Sequence, residues 1–204
     1  VFFIAIVIML AFYMIWARSS QRAHITNYAF PEGLRSKFRE AHPELTPGQQ
    51  RQVFEGLRQW FMICNRAGDR FVSMPSQVVD EAWHTFILFT RNYEQFCRKA
   101  FGRFLHHTPA EAIDNQTTAG DGIRRAWRIA CQMENIDPRA PRHLPMLFAM
   151  DAALAVPGGF HYELDCKPGG NTYCAGGIGC SSGCGSGENA VGTDSGCGGD
   201  CGGD

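Results

Sequence analysis

The sequence predicts a mainly α protein: a compact helical bundle with a small β element, preceded by a transmembrane helix and followed by a disordered Gly/Cys-rich tail. Three observations carry that prediction. Residues 1–17 contain no charge, no Gly and no Pro. Residues 30–165 carry apolar stripes at helical spacing, punctuated by Pro and Gly. Residues 166–204 hold six of the nine Cys and 14 of the 23 Gly, with almost no large apolar side chain. The units expected are an anchor at 1–17, a linker at 18–29, a helical domain at 30–165 and a low-complexity tail at 166–204. With 19 Lys+Arg against 20 Asp+Glu, the 204-residue chain has a formal charge of −1, which excludes a strongly basic nucleic-acid binder.

The apolar run Val1–Ala17 would cover about 26 Å as a helix, close to the roughly 30 Å hydrocarbon core of a bilayer. Tyr13 and Trp16 fall where an interfacial aromatic belt belongs, and Arg18 and Arg22 follow at once. The run is longer than the apolar part of a cleaved signal, and no small-x-small site precedes Arg18. A retained single-pass anchor is therefore expected, with the arginines favouring a cytoplasmic body. The chain begins with Val, and the true start is expected upstream.

In the helical domain, Thr46 is an N-cap with Pro47 at the first helical position, opening a helix to about Ala67 before Gly68. Val53, Leu57, Trp60, Phe61 and Cys64 form its apolar stripe. Met74-Pro75-Ser76 starts a second helix, to about Thr90. Thr90 is then expected to cap a third, with Tyr93, Phe96, Cys97 and Ala100 aligned and an end near Gly102. A fourth begins near Asp121, with Ile123, Ala126, Trp127, Ala130 and Met133 on one side. Leu144–Leu154 reads as a short apolar helix, and Phe160 to Cys166 alternate as a strand does.

The second helix carries Val79, Trp83, Phe86 and Ile87 as one stripe and Val78, Ala82 and Phe89 as another, read as nearly opposite. Such a helix is expected to be central, with neighbours on both sides. Its polar residues then need a reason to be there. Asp80 and His84 are four apart and share a side; Glu81 stands three before His84, a carboxylate-x-x-His spacing. His106 and His107 return one helix later. Imidazole plus carboxylate suits zinc, iron or manganese, so Asp80, His84, His106 and His107 are the candidate metal ligands of the domain, with zinc or iron the expected metal. The simpler reading is structural: an Asp–His hydrogen bond in the core, with His106 or His107 capping a helix end. No nucleotide loop, nucleophile elbow or dinucleotide fingerprint is present. Cys64, Cys97 and Cys131 align with apolar stripes and read as buried small hydrophobes.

The stretch Met74–Pro109 resembles the glycine-rich domain-containing protein-like family. The matching pieces are Val79-Asp80-x-x-Trp83-His84, Tyr93-x-x-x-Cys97, and Gly102 followed by His106. Leu144–Tyr162 is similar to the downstream part of bacterial members. The resemblance implies a fold over most of residues 30–162 and marks Asp80, Trp83, His84, Tyr93 and Cys97 as positions to test. No general enzymatic activity is established for that family, so the resemblance assigns none.

In the tail, Cys180 and Cys184 form one C-x3-C pair and Cys197 and Cys201 another, twelve residues apart. That spacing suits a four-thiolate zinc or iron–sulfur site; without metal, so Gly-rich a segment is expected to stay disordered. The sequence therefore favours a membrane-tethered, non-enzymatic module presenting this tail to a metal or a protein partner. The alternatives are a metal-dependent enzyme using Asp80, His84 and His106 or His107, and a thiol-redox or metal-trafficking protein.

Overall fold

The computed structural model describes residues 2–108, 116–164, 173–174 and 178. Among these are seven helices: α1 (Phe2–Asn27), α2 (Glu32–Ala41), α3 (Pro47–Ala67), α4 (Gln77–Leu88), α5 (Thr90–Phe101), α6 (Gln116–Glu134) and α7 (Met146–Ala153). Two short strands, β1 (Tyr162–Glu163) and β2 (Tyr173–Cys174), pair in parallel with Tyr162 opposite Tyr173. The fold is mainly α, as the sequence predicts.

Helix α1 is long and apolar enough to cross a membrane, and none of its most apolar stretch is buried. It does not stop at Ala17. Residues 18–27, expected as a linker, continue the same helix and dock it onto the body. Ile25 is buried, and Arg58 of α3 donates through Nη1 to the Ile25 carbonyl (2.8 Å) and the Tyr28 carbonyl (3.0 Å). Asn65 Nδ2 donates to Gln21 Oε1 at 3.2 Å. No Pro or Gly interrupts residues 2–27, so nothing local ends the helix before these contacts form.

Helix α3 is the central element, packed against α1, α4, α5, α6 and α7. Its start follows the sequence: Thr46 Oγ1 accepts from Gln49 N, and Gln49 Oε1 accepts from Thr46 N, a reciprocal cap. Gly56 lies where α3 meets α4 and α7 most closely. A Cβ there would sit 2.9 Å from Val79 Cγ2 and 2.9 Å from Met150 Cε, so only glycine permits this approach.

Helix α4 is capped by Ser76, whose Oγ accepts from Val79 N. Its buried residues Val78, Val79, Ala82, Trp83 and Phe86 form one continuous apolar arc. At about 100° per residue the two stripes expected to be opposite are adjacent, and α2, α3, α5 and α7 all pack against this helix. The remaining arc keeps Asp80, Glu81 and His84 at least partly exposed. Helix α4 thus has several neighbours, as expected, while α3 packs against one helix more.

Four further differences are local. Helix α2 was not anticipated; it follows Pro31 and buries only Leu34 and Phe38, four residues apart. Thr90 does not cap α5 but is its first residue, and the N-cap position is Phe89. Helix α6 starts at Gln116, before Asp121. Of the strand expected over Phe160–Cys166, β1 takes Tyr162–Glu163, the Phe160 N–H donates to Asp151 Oδ2 (2.9 Å), and residues 165–166 lie outside the described residues. Cys174 is disulfide-bonded. Cys64, Cys97 and Cys131 are free and buried.

Candidate functional site

Two segments build the site. Asp80 and His84 project from the partly exposed arc of α4, one turn apart. The second segment follows α5, where Gly102 adopts a left-handed conformation (φ 71°) that ends the helix and turns the chain back. A polar network fixes the path of that returning segment. The Trp83 indole Nε1 donates to the Tyr93 hydroxyl (3.0 Å), and that hydroxyl donates to the Leu105 carbonyl (2.6 Å). Burial, and then the neighbouring Cys97, push the Tyr93 hydroxyl above its ordinary pKa, so it stays protonated and able to donate. Burial likewise raises the Cys97 thiol.

Two residues past Leu105, His107 reaches Asp80: its Nε2 lies 3.2 Å from Asp80 Oδ1. His84 Nδ1 lies 3.7 Å from the other carboxylate oxygen, Oδ2. The two imidazoles meet edge to face with centroids 4.2 Å apart, and Trp83 packs against His107 at 4.6 Å. One potential ligand atom from each of Asp80, His84 and His107 lies within 4.8 Å of the other two. Ligands about 2.0–2.2 Å from a tetrahedral zinc ion lie about 3.3–3.6 Å apart. Closing the cluster to that spacing takes a rotation of the exposed His84 ring inward.

His106 stands apart. It is exposed and packs against Phe104, with ring centroids 4.9 Å apart. Glu81 also turns away, pairing with His42 of the α2 end at 2.9 Å. Of the four candidate ligands in the domain, the structure therefore brings together Asp80, His84 and His107. The tail candidates Cys180, Cys184, Cys197 and Cys201 lie outside the described residues.

The cluster forms part of the wall of a cleft of about 740 Å³, which Trp60, Trp83, Arg103 and Tyr162 also line. Trp60 is buried, and its indole N–H has no hydrogen-bond partner among the described residues. A cleft of this size accommodates a small molecule. Sequence reasoning missed one residue that steadies the wall. Asp151 of α7 is 1 % exposed and accepts from Ser76 Oγ (2.6 Å), Gln77 N (2.7 Å) and Phe160 N (2.9 Å). It thereby ties the start of α4, which carries Asp80, to the chain leading into β1. The only sequence signal was a single acid in an otherwise apolar helix.

Fold and site together define a helical module with one carboxylate and two imidazoles gathered at a cleft. The chain belongs to the UCP032817-like family, whose profile matches residues 20–181. The match takes in the docked end of α1, the whole helical body and both strands. No curated protein and no solved structure matches the chain.

Proposed function

We propose that the chain is a membrane-tethered metal-binding module whose body holds one divalent ion, zinc or iron, through Asp80, His84 and His107. The observation that carries this reading is the convergence of three ligand-type atoms, from two separate segments, within 4.8 Å. Two imidazoles and a carboxylate are a donor set that both metals accept. Three protein ligands would leave a coordination position toward the cleft, where a bound water or small molecule could be polarised; that is the enzymatic form of the same reading. The tether is supported by α1, whose apolar part is exposed while its last turns belong to the body. A signal peptidase cutting beyond Ala17 would sever part of the fold.

The related proposal, kinship with the glycine-rich domain-containing protein-like family, is supported by the roles of its pattern residues: Asp80 and His84 in the cluster, and Trp83, Tyr93 and Cys97 beside it. The Cys180, Cys184, Cys197 and Cys201 thiols remain a second candidate site, for metal or a protein partner.

The test is metal content of the full chain, purified in detergent and supplied with zinc or ferrous iron. One ion per chain is expected, lost in Asp80→Asn and His107→Ala and kept in His106→Ala. Loss only when residues 166–204 are removed would transfer the site to the tail. No ion in any form would refute both sites.

A further inference from the structure

A second cavity, of about 460 Å³, adjoins the first at the C-terminal end of α3, on the side of the α1 stem, and shares Cys64, Gly68, Asp69, Arg70 and Arg103 with it. Arg18 and Arg22 reach it from α1, Arg66 and Arg70 from the end of α3 and the turn after it, and Arg103 from the segment after α5. Among the described residues the only carboxylate in its lining is Asp69, which pairs with Arg103 at 3.3 Å. Arg18, Arg22, Arg66 and Arg70 form no ion pair among the described residues. The polar contacts of Arg22 and Arg70 are with neutral groups: Arg22 Nε with Asn65 Oδ1 (3.4 Å) and Arg70 Nε with the Ala67 carbonyl (3.3 Å). Partial burial, and then the nearby Arg22 guanidinium, disfavour the charged form of Arg66. Five exposed arginines lining one cavity, four of them outside any ion pair among the described residues, form an arrangement that an anion would stabilise.

The height of this cavity identifies the anion. If Val1–Ala17 sits in the hydrocarbon core, the unbroken helix carries Arg18 about 1.5 Å and Arg22 about 7.5 Å beyond it. The polar headgroup layer extends about 5–7 Å beyond the core on each side. Arg18, Gln21 and Arg22 thus span the layer that holds lipid phosphates, and the docking of α1 holds the α3 arginines beside them.

We infer that this arginine cavity binds the phosphate headgroup of an anionic phospholipid in the bilayer that α1 enters. The inference rests on the tether part of the proposed function and is independent of the metal site. In binding there, the lipid would fix the body's rotation about α1 and its distance from the surface.

The full chain is reconstituted into nanodiscs of phosphatidylcholine alone or with phosphatidylglycerol. It is also purified from mixed lipid–detergent micelles for mass spectrometry of the retained lipid. Wild type is expected to retain phosphatidylglycerol preferentially and to unfold at a higher temperature in the anionic discs. Arg22→Gln with Arg66→Gln should cut the enrichment by roughly 10- to 30-fold, while Arg22→Lys with Arg66→Lys should keep most of it; circular dichroism checks that both variants are folded. Insertion without lipid preference would overturn the inference and leave the tether intact. Failure to enter either disc would overturn tether and cavity assignment together. Equal stabilisation by inorganic phosphate in detergent, with no effect of disc composition, would overturn the lipid assignment in favour of a free anion.

Discussion

Replacing Tyr93 with Phe removes one oxygen atom and should disturb the site from a distance. The ring is fully buried and would stay in place. What is lost is the bridge from Trp83 Nε1 at 3.0 Å to the Leu105 carbonyl at 2.6 Å. Trp83 is 5 % exposed, so its N–H would be stranded without water; the half-buried Leu105 carbonyl can be partly rehydrated. A stranded buried group costs about 1–3 kcal/mol, and the two together should cost about 2–3 kcal/mol. For a chain of this size that lowers the melting temperature by about 4–12 °C. The same bridge delivers His107 to Asp80, so zinc affinity should fall by about 10- to 100-fold, as for other residues that orient ligands. The assay is thermal unfolding of the full chain in detergent, alongside a zinc titration. A melting temperature within about 1 °C of wild type and an unchanged zinc affinity would refute the bridge's role. A drop in stability alone would make it a scaffold with no hold on His107.

Two further outcomes are expected. Asp151→Ala strands Ser76 Oγ, Gln77 N and Phe160 N at once and should cost about 3–4 kcal/mol in urea unfolding. Asp151→Asn keeps the shape and should cost less; an alanine penalty below about 1 kcal/mol would show that the carboxylate holds nothing. For Cys131, burial and then Glu134 and Asp137 push the thiol from 9.0 up to about 12. Between those values the unfolded chain has lost a proton that the folded chain still holds, so this contribution to stability is complete below pH 9 and falls as pH rises toward 12. The slope is about 1.4 kcal/mol per pH unit. Comparing the urea midpoints of wild type and Cys131→Ala from pH 8 to 11 isolates it, and parallel curves would refute it.

Much of the helical body was legible because its punctuation is local. Thr46-Pro47, Ser76 and Gly102 mark helix ends through hydrogen bonds and backbone angles within a few residues of themselves. Helix α2 was harder to read because ten residues with two buried side chains give little periodicity. The docking of residues 18–27 was hidden for a different reason. Arg18 and Arg22 read as flanking charges, while the partners that make the segment part of the body, Arg58 and Asn65, lie in α3.

By itself the sequence determined the apolar segment, most helix ends, the shared side of Asp80 and His84, and the return of two histidines after Gly102. Only the tertiary structure chose His107 over His106, sent Glu81 to His42 and set Asp151 under the start of α4. Helical periodicity relates residues one or two turns apart. Which of two adjacent imidazoles meets a carboxylate depends on how the Tyr93 hydroxyl holds the returning chain at Leu105, and so on contacts made only when distant segments pack together.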